Sequence, residues 1–285
     1  WHAATHAWPK AMAWHFVYQS CAPRSCRPLQ YRAAHRRLQL RACLLVQASS
    51  RVQRKQKRHP GQNEQYDVEA LTPFKISRQE ISEQLTLINN SLQLSTSLLK
   101  TFVAAIYPLK DKEWAVFEAI WQPYTCKRKT LLTKAGESER YLYFVLEGVQ
   151  RGYGVTSEGE EATIVFTYPY SFSGVADAFL TQTPSAYFLE TLTASTFLRT
   201  TYQQLDELMN KYPAIQTMIL KATAWAFKGV LERNVELQVL SAEEKFRKLL
   251  TRSPQVLNLI PHKHLASYLG MDATTFSRLL STVRI

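Results

Sequence analysis

The sequence predicts an α+β protein in which helices precede and follow a domain of short strands. Between Leu131 and Tyr202, runs rich in β-branched and aromatic residues alternate with Gly or Pro at near-regular spacing, a pattern typical of a sandwich or barrel. On both sides of this segment, apolar residues recur at helical spacing. The 285 residues, 46% of them hydrophobic, suffice for one large or two modest domains.

Residues 1–98 are expected to be an uncertain extension, either disordered or not native to the protein. In residues 1–70, His, Trp, Arg and Cys are scattered without a sustained period, and 12 Lys and Arg stand against 3 Asp and Glu. This Arg-rich, acid-poor composition also resembles a transit peptide. Most of the formal charge of +12 therefore lies outside the expected fold, which weakens charge alone as an indication of a nucleic-acid partner.

The cysteines indicate neither a disulfide framework nor a metal site. Cys21 and Cys26, with His15 and His35, match no zinc spacing, and Cys126 is alone in the regularly patterned segment. We therefore expect no metal and a reducing compartment. No apolar run approaches the roughly 18 residues that a membrane span needs, so we expect a cytoplasmic protein without a membrane partner.

Two helices are predicted before the strands. Residues 77–100 have apolar residues at helical spacing, and the stretch from Leu98 to Ile106 fits a helix that ends near Pro108. Asp111 is expected to be the N-cap of the next helix. That helix has an apolar stripe formed by Trp114, Phe117, Ile120 and Trp121.

Six strands are predicted, with a short helix between the fourth and the fifth. The helix is expected at Val175–Leu180, directly after Gly174, because this stretch lacks the β-rich composition of its neighbours. The predicted strands are Leu131–Lys134, Tyr141–Leu146, Val149–Val155, Ala162–Tyr168, Tyr187–Thr193 and Thr196–Tyr202.

Three motifs in this segment resemble a cyclic-nucleotide-binding β-roll, a jelly-roll-like fold. They are Ala135-Gly136-Glu137, the run Tyr143–Gly148, and Phe172-Ser173-Gly174 before a short helix. Their order is similar to that in the sensor domain of Crp/Fnr-type transcription regulators. The resemblance implies a sensor β-roll at residues 99–202. It does not extend to the iron–sulfur oxygen sensors of that family, which need a cysteine cluster.

A long helix is predicted after the strands. Tyr202–Tyr212 forms a first helix, and Pro213 suits the first turn of a second helix that extends to Leu240. Its apolar residues recur at near-heptad spacing. The resemblance implies that residues 203–240 form a dimerisation helix and that the protein is a homodimer, while an intrachain core helix is the alternative.

Residues 241–285 have the pattern of a helix-turn-helix DNA-binding domain. Ser241 and Glu244 form a capping-box signature, and Pro261 opens the first helix of the motif. Gly270 allows the tight turn, and Asp272 is a good N-cap for the second helix. The order helix, Gly turn, capped helix is typical of DNA readers, although a plain two-helix hairpin has the same outline. A β-wing usual after this motif is expected to be missing or never present.

The second helix is expected to enter the major groove of double-stranded DNA. Arg278 is the strongest candidate because its guanidinium can bind guanine O6 and N7 together, and it matches an arginine on the recognition helix of the Crp type. The other groove-side candidates are Thr274, Thr275 and Ser277. Candidates for phosphate contacts are His262, Lys263 and Arg284.

The predicted ligand pocket is degenerate for a cyclic nucleotide. The family pattern has a glutamate for the ribose directly after the glycine and an arginine for the phosphate after the short helix, but Val175 and Ser185 stand there. A buried cyclic phosphate would then be poorly compensated, so we expect no tight binding of cyclic AMP. The pocket either binds another small molecule or is filled by its own side chains. Its expected residues are Phe172, Gly174, Val175, Ser185 and Ala186.

These predictions together indicate a sequence-specific DNA-binding transcription regulator. A ligand-binding or protein-interaction module without DNA binding is the alternative. An enzyme is not expected, because the sequence has no Ser/His/Asp set placed by a motif and no Gly-rich phosphate loop. No cofactor is expected either.

Overall fold

The computed structural model describes residues 78–283, and for residues 78–91 it describes the backbone alone. The expectations for residues 1–77, including Cys21 and Cys26, and for Arg284 lie outside the described residues. Two compact units meet in sequence between Gln93 and Leu94. In the first unit the described part is helical, and everything below concerns the second unit, from Leu94 onward.

The helices before the strands differ from the prediction at two points. Helix α1, Arg78–Ile106, is continuous over 29 residues, so the expected domain boundary at residue 99 falls inside a helix. Helix α2, Asp111–Ala119, begins at Asp111 itself, with Lys110 at the N-cap position. Asp111 is not the cap because the Glu113 carboxylate accepts a hydrogen bond of 2.8 Å from the backbone N–H of Lys110 and so satisfies the end of the helix.

The strands form two four-stranded antiparallel sheets. One has the order β1-β8-β3-β6 and the other β2-β7-β4-β5, so β5 is an edge strand. The predicted α+β class with a β-roll is confirmed. The strands are β1 Gln122–Cys126, β2 Leu131–Thr133, β3 Tyr141–Glu147, β4 Gln150–Val155, β5 Glu161–Thr167, β6 Phe172–Ser173, β7 Phe188–Thr191 and β8 Ser195–Thr201, with helix α3, Ala176–Thr181, between β6 and β7.

The first sheet is covered by helices on its outer face. Phe144 of β3 and Leu198 of β8 point outward and are fully buried against Leu99 of α1, Phe117 of α2 and Ile215. Successive strand residues point to opposite faces, so Tyr143, Val145 and Phe197 point into the roll, where they pack together.

The chain leaves the roll through helices of near-predicted extent. Helix α4, Tyr202–Lys211, is capped by Thr201, whose hydroxyl accepts from the backbone N–H of Gln204. Helix α5 has Pro213 in its first turn, as predicted, and contains 27 residues. The remaining helices are α5 Pro213–Val239, α6 Ala242–Arg252, α7 Val256–Leu259, α8 His262–Tyr268 and α9 Ala273–Thr282.

The C-terminal helices share a second core with the roll. Phe246 of α6, Leu265 of α8 and Phe276 of α9 lie in one buried cluster with Val149 and Phe166 of the roll region. The C-terminal helices therefore pack against the second sheet.

Candidate functional site: a helix-turn-helix surface and the interior of the roll

The C-terminal motif has the local geometry that its sequence predicts. Gly270 adopts φ +60° in the turn, a left-handed conformation that costs glycine little. Asp272 caps α9, and its carboxylate accepts a 2.8 Å hydrogen bond from the backbone N–H of Thr275. On the inner face of α9, Phe276 lies edge-on to Phe246 at 5.3 Å between ring centroids. The packing of α9 thus leaves its opposite face open.

Three of the predicted groove residues lie on that open face. Thr274, Ser277 and Arg278 are all exposed. Thr275 is half-buried, and its hydroxyl donates to the second carboxylate oxygen of Asp272 at 2.8 Å. Thr275 therefore contributes to the helix cap, and its hydroxyl proton is already donated within the chain.

The two predicted phosphate contacts lie at the first turn of α8. His262 and Lys263 are exposed, and the His262 ring lies 5.4 Å from the ring of Phe276 in α9. The fold therefore places these two side chains beside the helix that has the exposed groove residues, as phosphate contacts next to a recognition helix require.

The five residues predicted for the ligand pocket differ in their surroundings. Phe172 lies outside the roll, parallel to Trp121 at 5.9 Å and edge-on to Phe102 of α1 at 4.9 Å. Phe172 therefore packs against the helices that cover the first sheet, and its expected role in a ligand pocket stays a prediction. Ala186 is exposed.

Of the remaining three residues, Gly174 has φ +147°, and Val175 and Ser185 are buried. The Ser185 hydroxyl donates to the carbonyl of Tyr187 at 2.8 Å and accepts from its N–H at 3.0 Å. The backbone C=O of Ser185 also accepts from the N–H of Gly136 at 2.8 Å. Where a phosphate-binding arginine is expected, Ser185 therefore ties together two loops of the roll.

A buried carboxylate that the sequence analysis missed lies beside Val175. Glu139 is 2% exposed, and one of its oxygens accepts from the N–H of Val175 at 3.3 Å and from the Thr133 hydroxyl. The other oxygen accepts from the N–H groups of Arg140 and Tyr141 at 3.1 and 3.3 Å. Burial raises the pKa of Glu139, and these hydrogen bonds oppose the rise. The backbone N–H that precedes α3 is therefore already bound to an acidic group of the chain.

Aromatic side chains occupy the rest of this inner face. Tyr143 and Phe197 lie 5.2 Å apart. The guanidinium of Arg199 lies between the rings of Tyr124 and Tyr141, at 4.0 and 4.2 Å from their centroids. Tyrosine faces attract a cation, so this arginine is held within the roll by its own aromatic neighbours.

Helix α5 has apolar side chains that are exposed in the described part of the chain. Ile215, Met218 and Ile219 in its first turns are buried. Beyond them several apolar side chains are at least 36% exposed, and four of these recur in steps of seven and four, with exposed fractions between 48% and 68%. These residues, here called the α5 stripe, are Leu220, Phe227, Leu231 and Val235.

Two general properties hold for the described part of the chain. No helix within residues 78–283 is long and apolar enough to cross a membrane. Within the same residues, no three or more His, Cys, Asp and Glu side chains are grouped as metal ligands would be.

Comparisons with known proteins agree with the fold. The sequence pattern described as "Cyclic nucleotide-binding domain" matches residues 125–212. The "Fumarate and nitrate reduction regulatory protein" of Vibrio cholerae is 30% identical over 160 residues, which cover 52% of this chain and 63% of that protein. The "Anaerobic regulatory protein" of Haemophilus influenzae is 26% identical over 165 residues, which cover 54% of this chain and 63% of that protein.

Solved structures show the same architecture. The structure of FixK2 from Bradyrhizobium japonicum has a TM-score of 0.51 at 16% identity and covers 57% of this chain and 83% of its own. A putative transcriptional regulator of the Crp/Fnr family from Eubacterium rectale has a TM-score of 0.50 at 16% identity, covering 61% and 82%. The match spans 63% of the length of the two curated relatives. The predicted resemblance is confirmed: the chain contains a β-roll of the cyclic-nucleotide-binding type, and the fold of its described residues is similar to that of Crp/Fnr-type regulators.

Proposed function

We propose that this Crp/Fnr-type chain is a sequence-specific DNA-binding transcription regulator that acts as a homodimer in the bacterial cytoplasm. The observation that carries the proposal is the exposed face of α9. Thr274, Ser277 and Arg278 lie outward on a helix whose other side is fixed by Phe276 and by the Asp272 cap. The relatives are named as regulators rather than as enzymes, which supports the same assignment.

The proposed base-reading residue is Arg278. A guanidinium on an exposed helix face can form two hydrogen bonds with one guanine, which discriminates against other bases by about 1–3 kcal/mol. His262 and Lys263, at the start of α8 beside α9, are the proposed phosphate contacts. They would add affinity without sequence preference.

DNA selection from random duplexes, with Arg278→Ala in parallel, tests this assignment. We expect the unchanged protein to enrich an inverted repeat, because a two-fold dimer presents two recognition helices about one DNA turn apart. Arg278→Ala should lower affinity for that repeat by roughly 5- to 150-fold. A Lys263→Ala control should weaken binding to selected and random duplexes alike and reduce the salt dependence.

Failure to enrich any repeat, in the presence and absence of a metabolite extract, would contradict the proposal. In that case the alternative is a ligand-binding or protein-interaction module without DNA binding. An operator preference that survives Arg278→Ala would instead contradict only the role of that side chain.

The proposed sensor does not bind cyclic AMP tightly. Val175 and Ser185 lack the charged groups that a ribose hydroxyl and a cyclic phosphate need. The Glu139 carboxylate is hydrogen-bonded to the N–H of Val175, so a phosphate at this point would meet a negative charge rather than a free donor. An unknown effector of different chemistry remains compatible with this site.

Titration calorimetry with cyclic AMP checks this prediction. We expect no saturable heat at micromolar ligand. A cyclic-nucleotide-binding domain that has both charged partners serves as the positive control. Saturable binding to the unchanged protein would overturn the prediction, and loss of that binding in Val175→Glu would locate it at α3.

A further inference from the structure

Besides the shared apolar core, a small polar junction connects the C-terminal helices to the roll. Helix α8 lies along β5, the edge strand of the second sheet. An edge strand has N–H and C=O groups that no neighbouring strand satisfies. The contacts between α8 and these groups, here called the β5–α8 junction, involve Ser267 on one side and Glu161 and Thr163 on the other.

The Ser267 hydroxyl bridges two backbone groups of β5. It accepts a 2.9 Å hydrogen bond from the N–H of Thr163 and donates to the C=O of Glu161 at 3.2 Å. One side chain of the helix-turn-helix therefore satisfies both a donor and an acceptor of the sheet edge. The hydroxyl binds two backbone groups that lie two residues apart on β5. Together the two bonds limit movement of α8 along the strand and away from it.

Arg151 holds the side chains of the same two β5 residues. It is 1% exposed, its Nε donates to the Thr163 hydroxyl at 2.9 Å, and its Nη1 donates to the Glu161 carboxylate at 2.6 Å and to Glu190 at 3.2 Å. Arg151 also lies over the ring of Tyr153 at 4.2 Å. The side chains of the strand that α8 binds are therefore tied to the neighbouring strand β4 by hydrogen bonds from Arg151, one of them charge-assisted on both sides.

Tyr268, the residue after Ser267, joins the junction to the long helix. Its ring lies 5.2 Å from that of Phe166 in β5 and 3.6 Å from the guanidinium of Arg233 in α5. Glu236, one helical turn further along α5, accepts from Lys248 at 2.9 Å and Arg252 at 2.7 Å, both in α6. The helix-turn-helix is therefore held between the roll and the proposed dimer helix.

The docked arrangement leaves the reading face open. Thr274, Ser277 and Arg278 are exposed while Ser267 is bound to β5. A contact that blocked DNA would cover these residues. The β5–α8 junction instead suits a contact that orients these three residues. A dimer reads two half-sites only when its two recognition helices have a defined separation.

We infer that Ser267 is a positioning residue that fixes the recognition helix relative to the roll, and that the β5–α8 junction raises affinity for a two-half-site operator. The inference rests on the proposed DNA-binding function and adds to it a residue that contacts neither DNA nor effector. Binding to random DNA depends little on the separation of the two recognition helices, since this binding is mainly electrostatic. The junction therefore contributes to specific binding alone.

The test uses the full chain and measures two quantities. The first is the hydrogen-exchange rate of the Thr163 amide, and the second is equilibrium affinity for the selected operator and for a random duplex. Ser267→Ala removes the bridging hydroxyl, Ser267→Thr retains it, and Ser157→Ala removes an exposed hydroxyl from the turn between β4 and β5 that bonds only to Glu158 in the structure. The last two variants are the matched controls.

We expect Ser267→Ala to exchange the Thr163 amide about fivefold faster, the factor that corresponds to one net hydrogen bond. Operator affinity should fall by about fivefold with no change in affinity for the random duplex, and both controls should match the unchanged protein. Unchanged operator affinity despite faster exchange would overturn the inference, and so would a rise in operator affinity, which would identify the junction as inhibitory. If the unchanged protein itself prefers no operator, the proposed function fails first and the inference falls with it.

Discussion

At the residue scale, a buried arginine, a buried glutamate and a buried histidine distinguish the described residues from a simple apolar core. A buried charge persists in a fold only where partners offset its lost hydration. Arg151 has two carboxylate partners, and Glu139 has backbone and hydroxyl donors. His264 in α8 is the third, 8% exposed. Its pKa is lowered to about 4 by burial and by the positive charges of Arg151 and Lys263, while Glu161 acts in the opposite direction.

The low pKa of His264 predicts acid sensitivity of the docked helices. An unfolded imidazole takes up a proton near pH 6.5, whereas the folded protein takes it up only near pH 4. The unfolded state therefore binds more protons between these values, and the free energy of unfolding falls as the pH falls through that window. His264→Gln, which cannot titrate there, should remove about 2 kcal/mol of this pH dependence.

Denaturant unfolding of both proteins at several pH values between neutral and about 4.5 measures the effect. Subtracting the two curves isolates His264, because the raised pKa of Glu139 contributes in the opposite direction to both proteins. Exposed His262→Gln makes the same side-chain change at the start of the same helix and is the matched control. Parallel curves for the unchanged protein and His264→Gln would contradict the prediction.

At the element scale, the turn of the helix-turn-helix packs directly on α5. A Cβ added at Gly270 would lie 3.2 Å from Leu237 Cδ2, and the backbone there has φ +60°. Gly270→Ala therefore combines a left-handed backbone, unfavourable for alanine by about 1 kcal/mol, with crowding against α5. We expect a loss of about 1–2 kcal/mol in the free energy of unfolding.

A double-mutant cycle separates the two causes of this loss. Leu237→Ala removes the crowding atom but leaves the left-handed backbone. In that background Gly270→Ala should therefore cost only the backbone contribution of about 1 kcal/mol. An equal loss in the free energy of unfolding in both backgrounds would show that Leu237 of α5 does not crowd a Cβ added in the turn. Gly136→Ala, with φ +85° and no atom within 4 Å of the added Cβ, provides the strain-only comparison.

The elements that the sequence predicted well are those determined locally. Ser241 and Asp272 cap their helices through bonds to residues three positions away, so their signals lie within one turn. Strand β1 was missed because it is only five residues long and contains Pro123. Its pairing with β8 depends on residues 69 to 77 positions later, which no local pattern reports.

The candidate site follows the same rule. The exposed groove residues of α9 were predicted from a motif, and three of the four lie on the open face. Glu139 was missed because a Glu-Arg pair between a turn and a strand looks like a solvated loop. The bond between Ser267 and Thr163 joins residues 104 positions apart, so it depends on the docking of two domains and leaves no mark in either local sequence.

At the scale of the whole molecule, helix α5 contacts both the roll and the C-terminal helices. Its first turns are buried against the roll through Ile215 and Met218, and its later turns hold the helix-turn-helix through Arg233 and Glu236. Between these contacts the α5 stripe is exposed to solvent. An exposed apolar seam on a long helix is typical of a site that pairs with another helix, and a second copy of this chain presents the identical seam.

The α5 stripe predicts that dimerisation depends on Phe227 and Leu231. Both side chains are largely exposed in the single chain, at 61% and 48%, so Phe227→Glu and Leu231→Glu should leave the fold of each subunit intact. In a helix pair each change buries a charge and loses roughly 1.5–3 kcal/mol of apolar burial per side chain. Because the seam contains two copies, we expect the dimer dissociation constant to rise by at least about 100-fold.

Sedimentation equilibrium of the full chain measures this constant directly, and circular dichroism checks that both variants remain helical. Val155→Glu, at an apolar residue on the roll that is 46% exposed, is the matched control and should sediment like the unchanged protein. The glutamate variants should also lose operator preference while retaining random-duplex binding, because one recognition helix contacts only a half-site. An unchanged protein that is monomeric, or glutamate variants that remain dimeric, would show that α5 is not the dimer helix.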